Sequence, residues 1–167
     1  MGQDAMEELR ARIGRLEDEL AIQRLILSYG PAADAGLTSL AAGLWLEKGV
    51  YDWDAGGDPH EGSAAVDRML QGDAHQGLIA AGAAHFAGPP LIEIDGHRAT
   101  ALNYSFVIRR RDGQFHLWRV SAVRWDLERS GASWRVRRRT NRLLDASGDG
   151  RQLFGEALHS LVRGAPG

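Results

Sequence analysis

The chain has 167 residues, a formal net charge of −2 and no cysteine. This length is typical of one domain with its own core, so we expect a single domain over residues 1–167, frayed at 1–8 and 164–167. The small net charge argues against nucleic acid or an anionic membrane as a partner, and the lack of cysteine excludes disulfides and thiolate metal sites. No apolar run is long enough for a membrane span and the acidic start is unlike a signal peptide, so a cytoplasmic location is expected.

The first part of the chain is predicted to be helical. Apolar residues recur every three or four positions, which predicts one continuous apolar stripe on a long amphipathic helix: Met6, Leu9, Ile13, Leu16, Leu20, Ile22, Leu25, Ile26 and Tyr29. Pro31 is expected to distort the last turn and Gly36 to end the helix. A second, shorter helix is predicted from about Thr38 to Glu47, with Trp45 pointing inward.

The next segment mixes short elements with loops. Residues 50–54 predict a short strand, and residues 55–62 a loop rich in Gly, Pro and Asp. Ser63 is a good helix cap for a helix over residues 64–70. Residues 71–84 fit no single pattern, and a small helix is one alternative there.

From His85 onward the pattern becomes that of strands joined by tight turns. Asp95-Gly96 and Asp112-Gly113 are typical hairpin turns. They separate predicted strands over residues 91–94, 98–109, 115–129 and 134–144, followed by a helix over 152–162. Helices followed by an antiparallel meander indicate an α+β fold.

Three residues offer acid–base chemistry: Tyr29, Asp34 and His85. Histidine accepts and donates protons near neutral pH, and a carboxylate bonded to one ring nitrogen makes the other a better base. A tyrosine hydroxyl in an apolar pocket can stabilise an oxyanion. Structural roles stay open as alternatives: a satisfied histidine at a strand end, a turn aspartate, and a core tyrosine.

The chain resembles the SnoaL-like branch of the nuclear transport factor 2 superfamily over roughly residues 17–144. The matching sequence segments are Leu25–Tyr29 leading to Asp34-Ala35-Gly36, then Gly49–Asp52, His85–Ala101 and Ser133–Val136. The resemblance implies a cone-shaped, cystatin-like α+β fold, with N-terminal helices packed on a strongly curved antiparallel or mixed sheet.

Within that branch the chain looks like scytalone dehydratase and the bile acid 7α-dehydratases. The resemblance implies that His85, Asp34 and Tyr29 are catalytic and that Ser121 matches a pocket serine. Trp53 stands where scytalone dehydratase has a tyrosine and the ketosteroid isomerases have their base, so no one family's full set is present. We predict that Tyr51, Trp53, Phe86, Asn103 and Ser121 bind the substrate.

These observations predict a dehydratase or isomerase that needs no cofactor and acts on a small hydrophobic, polycyclic molecule, steroid-like or polyketide-like. No Lys or Arg cluster is assigned to the pocket, so mostly apolar ligands are expected. The alternative is a non-catalytic ligand-binding or structural subunit, like the small β subunit of ring-hydroxylating dioxygenases, which this pattern also resembles.

The remaining charged and apolar residues bear on three other kinds of partner: metal ions, nucleic acid and further subunits. Asp52, Asp54, Asp58 and His60 fit no strong ligand motif, so no metal is expected. The arginine run over residues 135–142 is predicted to pair with the acidic first helix or another subunit rather than with nucleic acid. Long strands that are apolar on both faces predict a homodimer or homotrimer through the open face of the sheet.

Overall fold

The computed structural model describes residues 2–53 and 57–163 and has an α+β architecture. The helices are α1 (Gln3–Asp34), α2 (Thr38–Ala42), α3 (Ser63–Gln71), α4 (Asp73–Ala80) and α5 (Asp149–Arg163). The strands are β1 (Trp45–Asp52), β2 (His60–Glu61), β3 (Ala83–Ala87), β4 (Leu91–Asp95), β5 (Arg98–Arg111), β6 (Gln114–Ser130) and β7 (Ser133–Leu143). The predicted fold class is confirmed.

One mixed sheet contains all of these strands, in the order β2-β1-β7-β6-β5-β3, and β4 also pairs with β5. The hairpins β5–β6 and β6–β7 form the predicted antiparallel meander. β1 joins it in parallel to β7, which makes the sheet mixed. The sheet curls without closing, and the core lies between its concave face and the helices.

The first helix has two apolar stripes, not the single continuous one that the sequence predicts. The stripe from Ile22 to Ala33 is buried against the sheet. The earlier stripe, from Leu9 to Leu20, is 42–59% exposed and lies on the opposite side of the helix at 3.6 residues per turn. Helix α1 begins at Gln3 and so includes residues 3–8, while residues 164–167 lie outside the described residues.

Several element boundaries differ from the predictions. Trp45 begins β1 and pairs with Val136 of β7, so the second helix is shorter than predicted. Helix α4 and the start of β3 occupy the ambiguous segment before His85. Asp54, the predicted end of the first strand, lies outside the described residues. Within the part of the chain that is described, no helix has both the length and the apolar composition of a membrane span.

The arginine run pairs mainly with a neighbouring strand. Arg138 and Arg142 both donate to the carboxylate of Asp52 on β1 and not to the first helix, which was one of the two partners predicted for the run, the other being another subunit. Burial alone would raise the pKa of Asp52, but these arginines outweigh it and lower that pKa. Arg129, which precedes the run, is the residue that binds Asp18 on α1.

Candidate active site

The C-terminal end of α1 lies against β3, and this contact joins Asp34 to His85. Oδ1 of Asp34 is 2.5 Å from Nδ1 of His85, and its Oδ2 accepts a 2.7 Å hydrogen bond from the His85 backbone N–H. Because the carboxylate is acceptor-only, Nδ1 carries the proton and Nε2 is the basic nitrogen. The two side chains are 22% and 15% exposed, so the pair is shielded but reachable.

Gly30 makes this close approach possible. A Cβ atom at this position would lie 1.9 Å from the backbone oxygen of His85 and 3.1 Å from its carbonyl carbon. The Gly30-Pro31 pair stands in the last turns of α1, and the helix continues through it to Asp34. Gly36, with φ of +69°, then reverses the chain, as at many helix ends. Gly30 is therefore required because helix α1 and strand β3 lie so close together at this position, and not because the chain turns there.

A cavity of about 170 Å³ lies beside this pair, between the helices and the concave face of the sheet. It receives side chains from α1, α3, α4 and five strands. Of the predicted site residues, those that line it are Tyr29, Tyr51, Trp53, His85 and Ser121. Asp34 is not itself a lining residue and orients His85 from behind.

Tyr29 is held in an aromatic cluster at the inner end of the cavity. Its ring meets Trp45 edge-on at 5.5 Å and Tyr51 at 6.1 Å, and it is 5% exposed. Burial, together with the neighbouring Tyr51 phenol, raises the pKa of Tyr29. The hydroxyl thus stays protonated at neutral pH, as an oxyanion donor must.

The structure does not place Phe86 or Asn103 in the cavity. Successive strand residues point to opposite faces, so Phe86 lies behind His85, half exposed and stacked on Phe106. Asn103 is buried in the core, where its Nδ2 donates to the Gly88 carbonyl and its Oδ1 accepts from Trp125. The bonds of Asn103 brace the sheet. Neither Phe86 nor Asn103 lines the cavity, which corrects their predicted place in the substrate pocket.

The sequence offered no partner for His75, yet this second histidine lines the cavity. Its Nε2 donates a 3.1 Å hydrogen bond to the Ala33 carbonyl, and its ring centre is 5.6 Å from that of His85. Burial lowers the pKa of His75, so its ring is neutral at pH 7. The short helix α4 that carries it fell in the ambiguous segment, so no periodicity marked the residue.

Two arginines also line the cavity, which corrects the expectation of a pocket without basic residues. The Arg139 guanidinium is 3% exposed and lies 4.2 Å, 4.8 Å and 4.4 Å from the ring centres of Tyr29, Tyr51 and Trp125. Arg119 lies 4.3 Å from the ring centre of Trp118. Burial lowers the pKa of Arg119, but a guanidinium remains charged in proteins. All four contacts are cation–π interactions.

A signal for one of the arginines was present in the sequence. Arg119 stands two residues before Ser121, and alternate strand residues share a face, so a pocket role for Ser121 implies one for Arg119. Arg139 had no such signal, because it is out of phase with the inward Trp134 and Val136 of the same strand.

Comparison with known proteins identifies the family. The SnoaL-like domain matches residues 14–140. The chain belongs to the SnoaL-like family. No protein of curated function matches the sequence.

Solved structures support this assignment to the SnoaL-like family. An NTF2-like protein with a cystatin-like fold from Novosphingobium aromaticivorans is 42% identical, with a TM-score of 0.87 over 91% of this chain and 98% of that one. Rv3472 from Mycobacterium tuberculosis, a protein of unknown function, is 21% identical, with a TM-score of 0.69 over 98% and 95%. A candidate scytalone dehydratase from N. aromaticivorans is 18% identical, with a TM-score of 0.66 over 78% and 87%. The last two show a shared fold only.

Proposed function

We propose that this SnoaL-like protein is a cofactor-independent dehydratase or isomerase that uses His85 as its acid and base. The observation that carries the proposal is the 2.5 Å contact between Nδ1 of His85 and Oδ1 of Asp34 beside a cavity. A carboxylate in this position sets the tautomer of the ring and stabilises the imidazolium. The absence of a cofactor and the cytoplasmic location stay predictions.

The proposed reaction begins at a carbon next to a carbonyl group. Nε2 of His85 removes a proton from that carbon, and the C–H electrons move to the carbonyl oxygen, where the Tyr29 hydroxyl donates to the resulting oxyanion. In a dehydratase the β-hydroxyl then leaves as water, taking the proton back from the imidazolium. In an isomerase the same proton returns to the γ-carbon and the double bond moves.

The size of the cavity bears on the predicted polycyclic substrate. A cavity of about 150 Å³ in another protein holds one benzene molecule, and this cavity is of similar size, about 170 Å³. One ring is therefore enclosed beside His85. The further rings of a steroid-like or polyketide-like compound would lie in the mouth of the cavity.

The alternative is a non-catalytic ligand-binding or structural subunit, the latter resembling the β subunit of ring-hydroxylating dioxygenases. A structural role predicts a filled cavity, because nothing has to enter it, and the open volume argues against that role. The imidazole oriented by Asp34 beside this volume favours an enzyme over a ligand-binding module.

The proposed function is tested by proton exchange in deuterated water. The protein is incubated with a panel of cyclic ketones, some with a β-hydroxyl group and some with a β,γ double bond, and followed by NMR. We expect deuterium at the α-carbon together with either loss of water or migration of the double bond. The Asp34→Asn variant is the control and should exchange more slowly. A panel with no exchange above the buffer rate would contradict the proposal.

We also propose that the chain forms a homodimer or homotrimer through the outer face of the sheet. Helix α5 covers part of that face, but Phe86, Tyr104, Phe115 and Leu117 remain 51–67% exposed. Light scattering at micromolar concentration should therefore show a multiple of the 18.2 kDa chain.

Two variants locate the interface. Leu117→Glu should dissociate the oligomer, because it places a charge within the buried apolar contact. Leu16→Glu, on the exposed stripe of α1, is the matched control and should leave the mass unchanged. Only an 18.2 kDa species in the wild type would contradict the assembly, and dissociation by Leu16→Glu alone would move the interface to α1.

A further inference from the structure

We propose that the cavity takes a single-ring carboxylic acid, with the carboxylate held by Arg119 and Arg139 and the ring presented to His85. The inference names the substrate class of the site above, and it rests on the proposed function only for the reaction that follows binding. It departs from the small hydrophobic, polycyclic ligand that the sequence predicts.

The first reason is a set of buried donors without acceptors. Nε and Nη1 of Arg139 and Nε of Arg119 are buried, and none has a hydrogen-bond partner among the described residues. The aromatic rings packed against these guanidinium groups accept no hydrogen bond from these three nitrogens, although Arg139 also hydrogen bonds to the Tyr29 side chain. Buried polar groups are normally paired, and an unpaired buried charge is strongly destabilising. An anion bound against these two arginines in the cavity would offset their buried charge.

The second reason is the balance of charge. No Asp or Glu is found among the described residues that line the cavity, and His75, which does line it, is neutral at pH 7. Asp34, which lies behind His85, is already bonded through both of its oxygens to His85. The two arginines therefore leave a net positive charge inside a largely apolar cavity. A planar carboxylate complements it, because the guanidinium fork binds carboxylates with two parallel hydrogen bonds.

The third reason is the register of the sheet. His85 on β3 pairs with Val107 on β5, and Val107 pairs with Arg119 on β6. All three residues line the cavity, so they form one row across its floor. Neighbouring strands are about 4.8 Å apart, which separates the His85 and Arg119 backbones by about 10 Å. A ring lying over Val107 would therefore reach the arginine with its carboxylate and the imidazole with its opposite edge.

A β-bulge in β6 orients the side chains next to Arg119, at one end of this row. Val107 pairs with Arg119 but Ile108 pairs with Leu117, so Trp118 is the extra residue on β6. The bulge turns Trp118 toward the cavity beside Arg119, where its ring packs against the guanidinium. Bulges of this kind often re-aim side chains at active sites.

The test compares three one-ring probes by calorimetric titration: benzoate, benzamide and phenyl phosphate. Benzoate should bind at least about 10-fold more tightly than benzamide, the loss expected when charged hydrogen bonds are removed. Arg119→Gln and Arg139→Gln should each weaken benzoate by a similar factor and leave benzamide unchanged. Arg137→Gln is the matched control, because this half-exposed arginine lies on β7 outside the cavity lining.

The outcomes separate this inference from the proposed reaction. Equal binding of benzoate and benzamide would overturn it, as would tighter binding of phenyl phosphate or of a three-ring carboxylate. Arg119→Gln keeps the test valid if the more deeply buried Arg139 proves necessary for folding. His85→Ala should still bind benzoate. Selective binding of benzoate by a wild-type protein that turns over no ketone of the panel would reject the proposed reaction alone. Turnover of neutral ketones without selectivity for benzoate would reject the anion site alone.

Discussion

Replacing His85 with alanine should lower turnover by about 100 to 10,000-fold, the usual contribution of general acid–base catalysis, while ligand binding survives. The imidazole is the only group in the proposed reaction that both takes and returns the proton. The cavity should persist without it, because His85 is not part of the buried core cluster that packs the helices on the sheet. Turnover of a substrate from the NMR panel and calorimetric affinity, measured on the same preparation, check both halves of the prediction.

Graded variants sharpen this result. Asp34→Asn should cost less than His85→Ala, because the imidazole remains while its tautomer and basicity are no longer set. Tyr29→Phe should lower turnover through the missing oxyanion donor. His97→Ala, which changes an exposed histidine in the β4–β5 turn, is the control. Turnover of His85→Ala within about threefold of wild type, a loss below about 1 kcal/mol of transition-state stabilisation, would make His85 a structural residue.

Gly30→Ala should damage both the fold and the candidate site. The new Cβ would lie 1.9 Å from the His85 backbone oxygen, and backbone on both sides leaves no flexible atom to give way. Helix α1 and β3 must therefore separate. We expect the free energy of unfolding to fall by about 1–3 kcal/mol, as for other overpacked sites. A shift of about 1 Å in the Asp34–His85 pair should lower turnover by about 100-fold.

Gly14→Ala on the same helix is the matched control for Gly30→Ala. An added Cβ at Gly14 meets nothing within 4 Å, so this change should stabilise the helix by up to about 1 kcal/mol through alanine's higher helix propensity. Denaturant unfolding of the two variants gives the comparison. Equal stability of Gly30→Ala and wild type would mean that the helix and strand are not in the close contact described.

Local patterns were enough to predict most of the elements. The turns at Asp95-Gly96 and Asp112-Gly113 join antiparallel strands as expected, because their preferred backbone angles do not depend on distant contacts. The helical start and the strand-rich end were likewise visible from periodicity. The start of β1 at Trp45 was not, because only pairing with β7 decides that those residues are strand.

The single apolar stripe predicted for α1 shows where periodicity stops being informative. Within each stripe the apolar residues have helical spacing, but the step from Leu20 to Ile22 crosses to the opposite side of the helix, and only the second stripe is buried. Spacing along a helix reveals that residues share a face but not which face the rest of the molecule covers. That depends on where the sheet lies: it covers the side of α1 that carries Ile22 and Ile26, while Leu20 on the other side stays 53% exposed.

The sequence by itself determined the fold class and named the residues of the His85–Asp34 pair. Hairpin turns, helix periodicity and a family resemblance can all be recognised in short stretches of sequence. Only the tertiary structure decided what surrounds that pair. Arg139 faces inward because β7 carries an extra residue, Arg137, between the pairs of Leu127 with Val136 and of Asp126 with Arg138. A one-residue shift exchanges the two faces of a strand, and nothing in the local sequence marks where it occurs. The charge of the cavity, and with it the class of ligand, therefore follows from strand register.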